Sequence, residues 1–394
     1  MNVNDIQSRL IVILFFLLAL TSCEKEREKP VPDPVHFVES ELLASFKSDD
    51  ILTLLNDFGE LPPQISFLIL YDVLVYRIIY ETVDTDSNPV LASGALVVPD
   101  NRDPMPLMSF QHGTITEEED APSWFSSDIY FTAVFNASAG YIIALPDYLG
   151  YGSSRHMDHP YEHGRSLATA SRDMLRAVRE FDILNKEFRA DDKLFLTGYS
   201  QGGYATMALL KLLEEKHSDE FRVTAATAGA GAYNKSEFAR YLLDADKEIV
   251  YMNTFLWVLD TYNKVYGIDR PYSHYFNEPY ATIIEEGGVF ENPELNPQKL
   301  FTGNFREGII NGSDTEFISA LADNDNYDWK PSTPLQLYHG TDDDFVYYFN
   351  SASAYQAMND RGAESVELIT IQGGNHATSV TDYFMGTFLF FSQF

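Results

Sequence analysis

Cysteine is nearly missing from this chain: Cys23 is the single example in 394 residues. That excludes an intrachain disulfide and any metal cluster built on thiolates. Positive charge is also scarce, with 27 Lys and Arg against 59 Asp and Glu and a net charge of −32. Such a surface repels phosphate backbones, so nucleic acid is excluded as a partner, and an anionic membrane would not attract it. Neither a G-x-x-x-x-G-K-[ST] loop nor a G-x-G-x-x-G turn occurs, and no cofactor or metal is implied. What is abundant is apolar material. The chain is 45% hydrophobic, with 28 Phe and 24 Tyr, enough for a large core and unlike a disordered acidic chain.

The amino terminus carries the pattern of a processing signal. Arg9 precedes an apolar run at residues 10–20, and Leu20-Thr21-Ser22-Cys23 closes it with small residues. As a helix this run would be about 16 Å long, about half the hydrocarbon core of a bilayer. It therefore reads as a secretory signal, residues 1–22, rather than a membrane span. Its end resembles the lipobox of bacterial lipoproteins. That resemblance implies lipid attachment at Cys23 and an exported, lipid-anchored protein of the cell envelope. Acyl chains contribute about 0.8 kcal/mol per buried methylene, enough together to hold an acidic protein at a membrane. Residues 23–36, with alternating charges followed by Pro30, Pro32 and Pro34, read as an extended tether.

In residues 37–58 the apolar side chains recur near helical spacing and predict one or two short helices. Residues 73–83 and 90–98 read as strands joined by a polar link. A strand–loop–helix rhythm follows. Strands are expected at 106–110, 141–145, 193–197, 221–228, 334–338 and 366–371. Helices are expected at 166–184, 204–216 and 351–358, and after His376. Short, continuously apolar strands alternating with helices predict an α/β fold, a mostly parallel sheet flanked by helices on both faces. The rhythm stops over residues 233–332, which are aromatic-rich and helix-like. They predict a mainly helical cap inserted over the carboxyl edge of the sheet. The core is then residues 37–232 and 333–394.

The chemistry centres on Gly198-Tyr199-Ser200-Gln201-Gly202-Gly203, between an expected strand and an expected helix. A serine on such an elbow adopts a strained backbone, and side chains two residues either side would clash. Glycine at 198 and 202 removes the clash, which is the physical content of G-x-S-x-G. Ser200 is therefore the expected nucleophile. It needs a histidine base, and among the nine histidines His376 follows the last strand, where the order Ser, acid, His requires it. The orienting acid belongs after the penultimate strand, where Asp342, Asp343 and Asp344 stand together. An extended loop would turn Asp343 away from its two neighbours, which leaves the choice among them open. One oxyanion donor would be the backbone N–H of Gln201, at a helix N-terminus. The other belongs to the loop His112-Gly113-Thr114, in which His112 itself is read as a structural residue.

These segments resemble the α/β-hydrolase superfamily and are more closely similar to bacterial relatives of the secretory lipase family. The likeness is carried by Phe110-Gln111-His112-Gly113-Thr114, Pro146-Asp147-Tyr148-Leu149-Gly150-Tyr151-Gly152, residues 198–203 and residues 339–343. It covers most of residues 70–394 outside the cap. The H-G-x-x-D spacing of the family implies Asp343 as the acid, and the family pattern implies Thr114 as the first oxyanion donor. Tyr347 departs from the proline that many relatives carry after the acid.

The expected function is a membrane-tethered serine hydrolase that cleaves carboxylic esters of small molecules, an esterase or lipase, through an acyl-enzyme. An exopeptidase of the same fold is the alternative, since the cap chooses the leaving group. A lipid-anchored binding protein with no catalysis is the third reading. Residues 323–328 look superficially like a calcium loop but lack its turn glycine and distal glutamate, and read as a solvated acidic loop. His156, His159 and His163 read as an exposed loop rather than a metal site. The cap aromatics Tyr233, Phe255, Trp257, Tyr262, Tyr266, Tyr272, Tyr275 and Phe276 suit a substrate pocket and a packed interior equally well.

Overall fold

The computed structural model describes residues 35–57, 67–126, 130–185 and 187–394. The signal segment 1–22, Cys23 and nearly all of the tether lie outside them. No helix among the described residues is long and apolar enough to cross a membrane.

One nine-stranded sheet organises the chain. Its strands are β1 (Phe37–Phe46), β2 (Val73–Val83), β3 (Pro89–Pro99), β4 (Met105–Gln111), β5 (Ile142–Pro146), β6 (Ala190–Tyr199), β7 (Ala225–Gly229), β8 (Leu335–Gly340) and β9 (Val366–Ile371). The spatial order is β1-β2-β3-β5-β4-β6-β7-β8-β9. The pairs from β1 to β5 run antiparallel and the rest run parallel. This is the α/β-hydrolase architecture. The parallel strands are covered on both faces, which is why β5 and β7 are buried at every position and read as continuous apolar runs.

The helices are α1 (Ser48–Asp57), α2 (Phe131–Ser138), α3 (Gly164–Asn185), α4 (Gln201–Lys216), α5 (Lys235–Asp244), α6 (Met252–Val265), α7 (Tyr272–Tyr275), α8 (Tyr280–Gly287), α9 (Pro297–Leu300), α10 (Gly303–Asn311), α11 (Thr315–Asp323), α12 (Phe349–Asp360) and α13 (Ser379–Phe391). Helix α3 packs on α4 and on β2 through Leu167, Ala170, Met174, Ala177, Val178 and Phe181, all buried and on one helical face.

Two expectations about elements need correction. Residues 37–46 form an edge strand, not a helix. Register shifts between Phe37 and Glu39 and between Leu42 and Ala44 break the two-residue alternation. The inward side chains then recur at irregular intervals that imitate a helical period. Helix α2 was not expected at all; its eight residues are too few to display a period convincingly.

Between β7 and β8 the chain is helical, from α5 to α11, and among the described residues its extended pairing is the single bridge Phe276–Phe301. This insertion has its own apolar interior, which includes Leu256, Tyr262, Tyr275, Phe276, Phe305 and Phe317. A buried ion pair between Lys235 of α5 and Glu162 of the loop before α3 ties it to the sheet. Residues 323–328 contribute a second tie and are not a merely solvated loop. Asn324, 1% exposed, accepts from the Gly164 N–H at 2.8 Å, and Asp325 accepts from the Ser236 N–H and hydroxyl.

Candidate active site

Sheet register brings the functional loops together. Gln111 at the end of β4 pairs with Gly198 near the end of β6, so the segments that leave these strands, 112–114 and 199–201, become neighbours. The chain runs from β4 to β5 on one side of it and later to β6 on the other. The loops therefore leave the sheet at the point where strand order reverses, the crevice that open α/β sheets use for ligands. At the far side Gly340 of β8 pairs with Ile371 of β9, and the loops carrying Asp343 and His376 leave from the same edge.

Ser200 occupies the turn from β6 into α4 with φ 61° and ψ −125°, a conformation that a residue with a side chain adopts only under constraint. The constraint is visible. The Ser200 N–H donates to the Gly229 carbonyl at 2.9 Å, and its carbonyl accepts from the Tyr204 N–H at 3.0 Å. A Cβ added at Gly202 would overlap the Gln111 carbonyl, and one at Gly198 the Gly202 carbonyl. The expected reason for the two glycines therefore holds, with the partners identified.

His376 Nε2 lies 2.9 Å from Ser200 Oγ, and His376 Nδ1 lies 2.7 Å from Asp343 Oδ2. The imidazole is held between the rings of Tyr199 and Phe345, at centroid distances of 5.3 and 4.9 Å. The His376 backbone carbonyl accepts from the Tyr199 hydroxyl at 2.8 Å. Asp343 is buried while Asp342 and Asp344 are exposed, so packing distinguishes the three. Asp343 Oδ1 accepts from the N–H groups of Phe345 and Val346 at 3.0 and 2.9 Å. Burial pushes the carboxyl up, but His339 and His376, hydrogen-bonded to it, outweigh that and hold it at about 2. His339 is the residue that sequence reasoning left without a role. Fully buried, its Nε2–H donates to the Val346 carbonyl at 2.6 Å and sits 3.3 Å from Asp343 Oδ2, bracing the acid loop from below. Tyr347 leaves this loop and packs against Phe238, Tyr241 and Phe349. Its hydroxyl-bearing ring fills a contact with the insertion rather than distorting the acid.

The 112–114 loop stands beside the serine: a Cβ placed on Gly113 would be 4.0 Å from Ser200 Cβ. Thr114 Oγ1 is 2.7 Å from the Tyr161 hydroxyl. His112 is buried beneath the loop against the Tyr148 ring, 4.2 Å between centroids, with Nδ1 2.7 Å from the Gly113 carbonyl. Burial pushes its imidazole down to about 4. That suits a neutral structural residue rather than a base. Asp147 completes this support, accepting from the Ser93 hydroxyl at 2.6 Å and the Ser123 N–H at 2.7 Å.

The exposed-loop reading of the histidine group is wrong for two of its three members. His156 is exposed, but His159 and His163 are buried, because the loop folds beneath α6 instead of over solvent. Among the described residues no group of His, Cys, Asp and Glu is arranged to hold a metal ion. The aromatics of the insertion are also sorted by the structure. Tyr233, Tyr262, Tyr275 and Phe276 are interior. Phe255, with Phe238, Leu242, Met252 and Phe317, lines an apolar cavity, and its ring meets Phe345 at 5.9 Å. Trp257 stacks on Tyr161.

Comparison with known proteins finds lipases and esterases among those similar to this chain. A sequence model described as secretory lipase matches residues 128–384. Lipase 10 of Candida albicans is 22% identical over 84% of this chain and 74% of its own length. A Legionella pneumophila protein solved as a candidate hydrolase is 26% identical, with a TM-score of 0.81 over 91% of this chain and 98% of its own. The rice cell wall degrading esterase LipA of Xanthomonas oryzae is 24% identical, with a TM-score of 0.76 over 90% and 96%.

Proposed function

The chain belongs to the secretory lipase family and is a carboxylic-ester hydrolase; from that premise we propose that it acts through an acyl-enzyme on Ser200, with His376 as general base and Asp343 as the group that orients it. The observation that carries this reading is the unbroken hydrogen-bonded chain Ser200–His376–Asp343 on a strained elbow. Ser200 Oγ attacks the ester carbonyl carbon and its proton passes to His376 Nε2. The tetrahedral oxyanion is received by the N–H groups of Gln201 and Thr114. On collapse His376 returns the proton to the departing alcohol, and water then repeats the sequence on the acyl-enzyme. The imidazolium formed in between is stabilised by an Asp343 carboxylate that stays ionised throughout the working range.

Residues 233–332 serve as a cap on a core of residues 37–232 and 333–394. Phe345 touches His376 on one side and Phe255 on the other, and Phe255 opens on the apolar cavity of the cap. Its apolar lining suits the acyl chain of an ester. A peptidase that captures a free ammonium group would need an unengaged carboxylate there. Glu162, the carboxylate that lines the cavity, is already paired with Lys235, which favours ester over amide substrates.

A fluorophosphonate probe labels the folded protein under this reading, and Ser200→Ala abolishes the label. Equal labelling of both forms would remove Ser200 as nucleophile. The signal pattern and Cys23 further support an exported enzyme tethered by lipid. In a fractionated bacterial host, Cys23→Ser is expected to move the protein from the membrane pellet to the soluble fraction. Retention in the pellet would require another means of attachment.

A further inference from the structure

Both proposed oxyanion donors belong to residues whose side chains are themselves held, and the two holders meet on one residue of the cap. The Gln201 side-chain amide donates to His159 Nε2 at 2.8 Å. His159 Nδ1–H donates to the Leu149 carbonyl at 2.6 Å, so Nε2 is the bare nitrogen and acts as acceptor. Thr114 Oγ1 is bonded to the Tyr161 hydroxyl at 2.7 Å. His159 and Tyr161 then pack on the same indole. Tyr161 stacks face to face on Trp257, 4.2 Å between centroids and 4° between planes, and His159 meets it edge-on at 5.5 Å. Phe290, also in the cap, braces Trp257 at 5.4 Å.

We infer that Trp257 is a positioning residue through which the cap sets the oxyanion hole, acting on Gln201 through His159 and on Thr114 through Tyr161. The inference rests on the assignment of Ser200, Gln201 and Thr114 above. A backbone N–H has no chemistry of its own to tune; its aim follows the segment that carries it, and each of these segments is pinned by a side-chain bond. Displacement of such a group by about 1 Å costs about 10²-fold in rate, and loss of one donor costs about 10²–10³-fold. A ring that holds both pins affects both donors together. Because the donors act on the transition state and not on the bound ester, the consequence falls on kcat rather than KM.

The test uses a two-carbon acyl ester, so that changes in acyl-chain fit do not intrude, and a small boronic acid. Ser200 Oγ bonds to boron while its proton passes to His376, giving a tetrahedral anionic adduct that reports the oxyanion hole. Trp257→Ala is expected to lower kcat about 10–100-fold with KM within about threefold, and to weaken the boronate by the same factor as kcat/KM. Trp257→Phe, which can still stack, should recover most of both. Adding Tyr161→Phe to Trp257→Ala should cost little more than Trp257→Ala alone, since the two act in series. A kcat within about threefold of wild type, a loss confined to KM, or a kcat loss with unchanged boronate affinity would overturn the inference. If Trp257→Ala does not fold, Tyr161→Phe decides. A kcat loss with an unchanged melting temperature supports the assignment, and no loss refutes it. Failure of the catalytic reading is seen separately, as fluorophosphonate labelling that survives Ser200→Ala.

Discussion

Asp343→Asn should lower kcat by about 10⁴-fold, while Asp342→Asn and Asp344→Asn stay within a few-fold of wild type. The isosteric change is severe because the structure dictates which way the new amide must face. The N–H groups of Phe345 and Val346 both donate to the Oδ1 position, so the asparagine oxygen has to occupy it. Its NH₂ is then forced to the Oδ2 position, 2.7 Å from His376 Nδ1. Two N–H groups cannot point at one another, so His376 gives up its Nδ1 proton and carries one on Nε2 instead. That tautomer directs a hydrogen at Ser200 Oγ and has no lone pair to take the serine proton. Substrate binding is untouched, so KM should move far less than kcat. Asp342 and Asp344 project into solvent from either side and have no part in this constraint. Equal loss at Asp344 would transfer the orienting role to it.

Acid should unfold this protein early, well above the pH at which Asp343 is protonated. His112, His159 and His163 are buried and neutral, with burial pushing their imidazoles down to about 4, about 3 and about 4. In the unfolded chain each titrates near 6.5. Below that pH the unfolded state binds three protons that the folded state refuses, so stability falls as pH drops from 6.5 toward 4. At pH 5 each histidine costs about 2 kcal/mol relative to pH 7.5, about 6 kcal/mol together. Buried carboxyls work the other way. Asp147, pushed up to about 6 by burial, recovers about 1 kcal/mol by pH 5, and Asp182 and Asp325, also raised by burial, add to that. Asp343, held at about 2 by its two histidines against burial, keeps its full contribution at pH 5 and loses it only as pH falls through its folded value. The net is a loss on the order of 4 kcal/mol, or roughly 5 °C in melting temperature for a chain of this size. Urea midpoints at pH 7.5 and 5 measure it. Equal stability at the two values would mean that these histidines are not held neutral. His159→Gln, which keeps a hydrogen-bonding side chain but cannot titrate, should flatten the dependence by about half.

Much of the site was legible because its chemistry is tied to chain order. Ser200 announces itself by two glycines whose absence of Cβ has a steric reason. His376 follows from its place after the last strand, and the α/β class from buried strands that alternate with helices. What could not be read are the supports. His159 and Tyr161 lie in a stretch where one sequence gives no period and no spacing rule, and the spacing that includes His339 marks the acid without showing that His339 packs against it. His159 reads as a surface residue in the acidic neighbourhood of Asp158 and Glu162. The edge strand β1 was misread for the opposite reason, a local pattern that imitated another.

The sequence by itself pointed to the serine and histidine of the proposed site, the α/β class and the presence of a helical insertion, because each of these is written in local residue type and periodicity. Only the tertiary structure showed which of three adjacent aspartates is buried against His376, which histidines are buried, and how the insertion packs toward the proposed oxyanion donors. Those outcomes depend on burial and on hydrogen bonds between segments far apart in the chain, such as Asp343 with His376 or Trp257 with Tyr161. Such contacts exist only once sheet register has brought the ends of β4, β6, β8 and β9 to one edge.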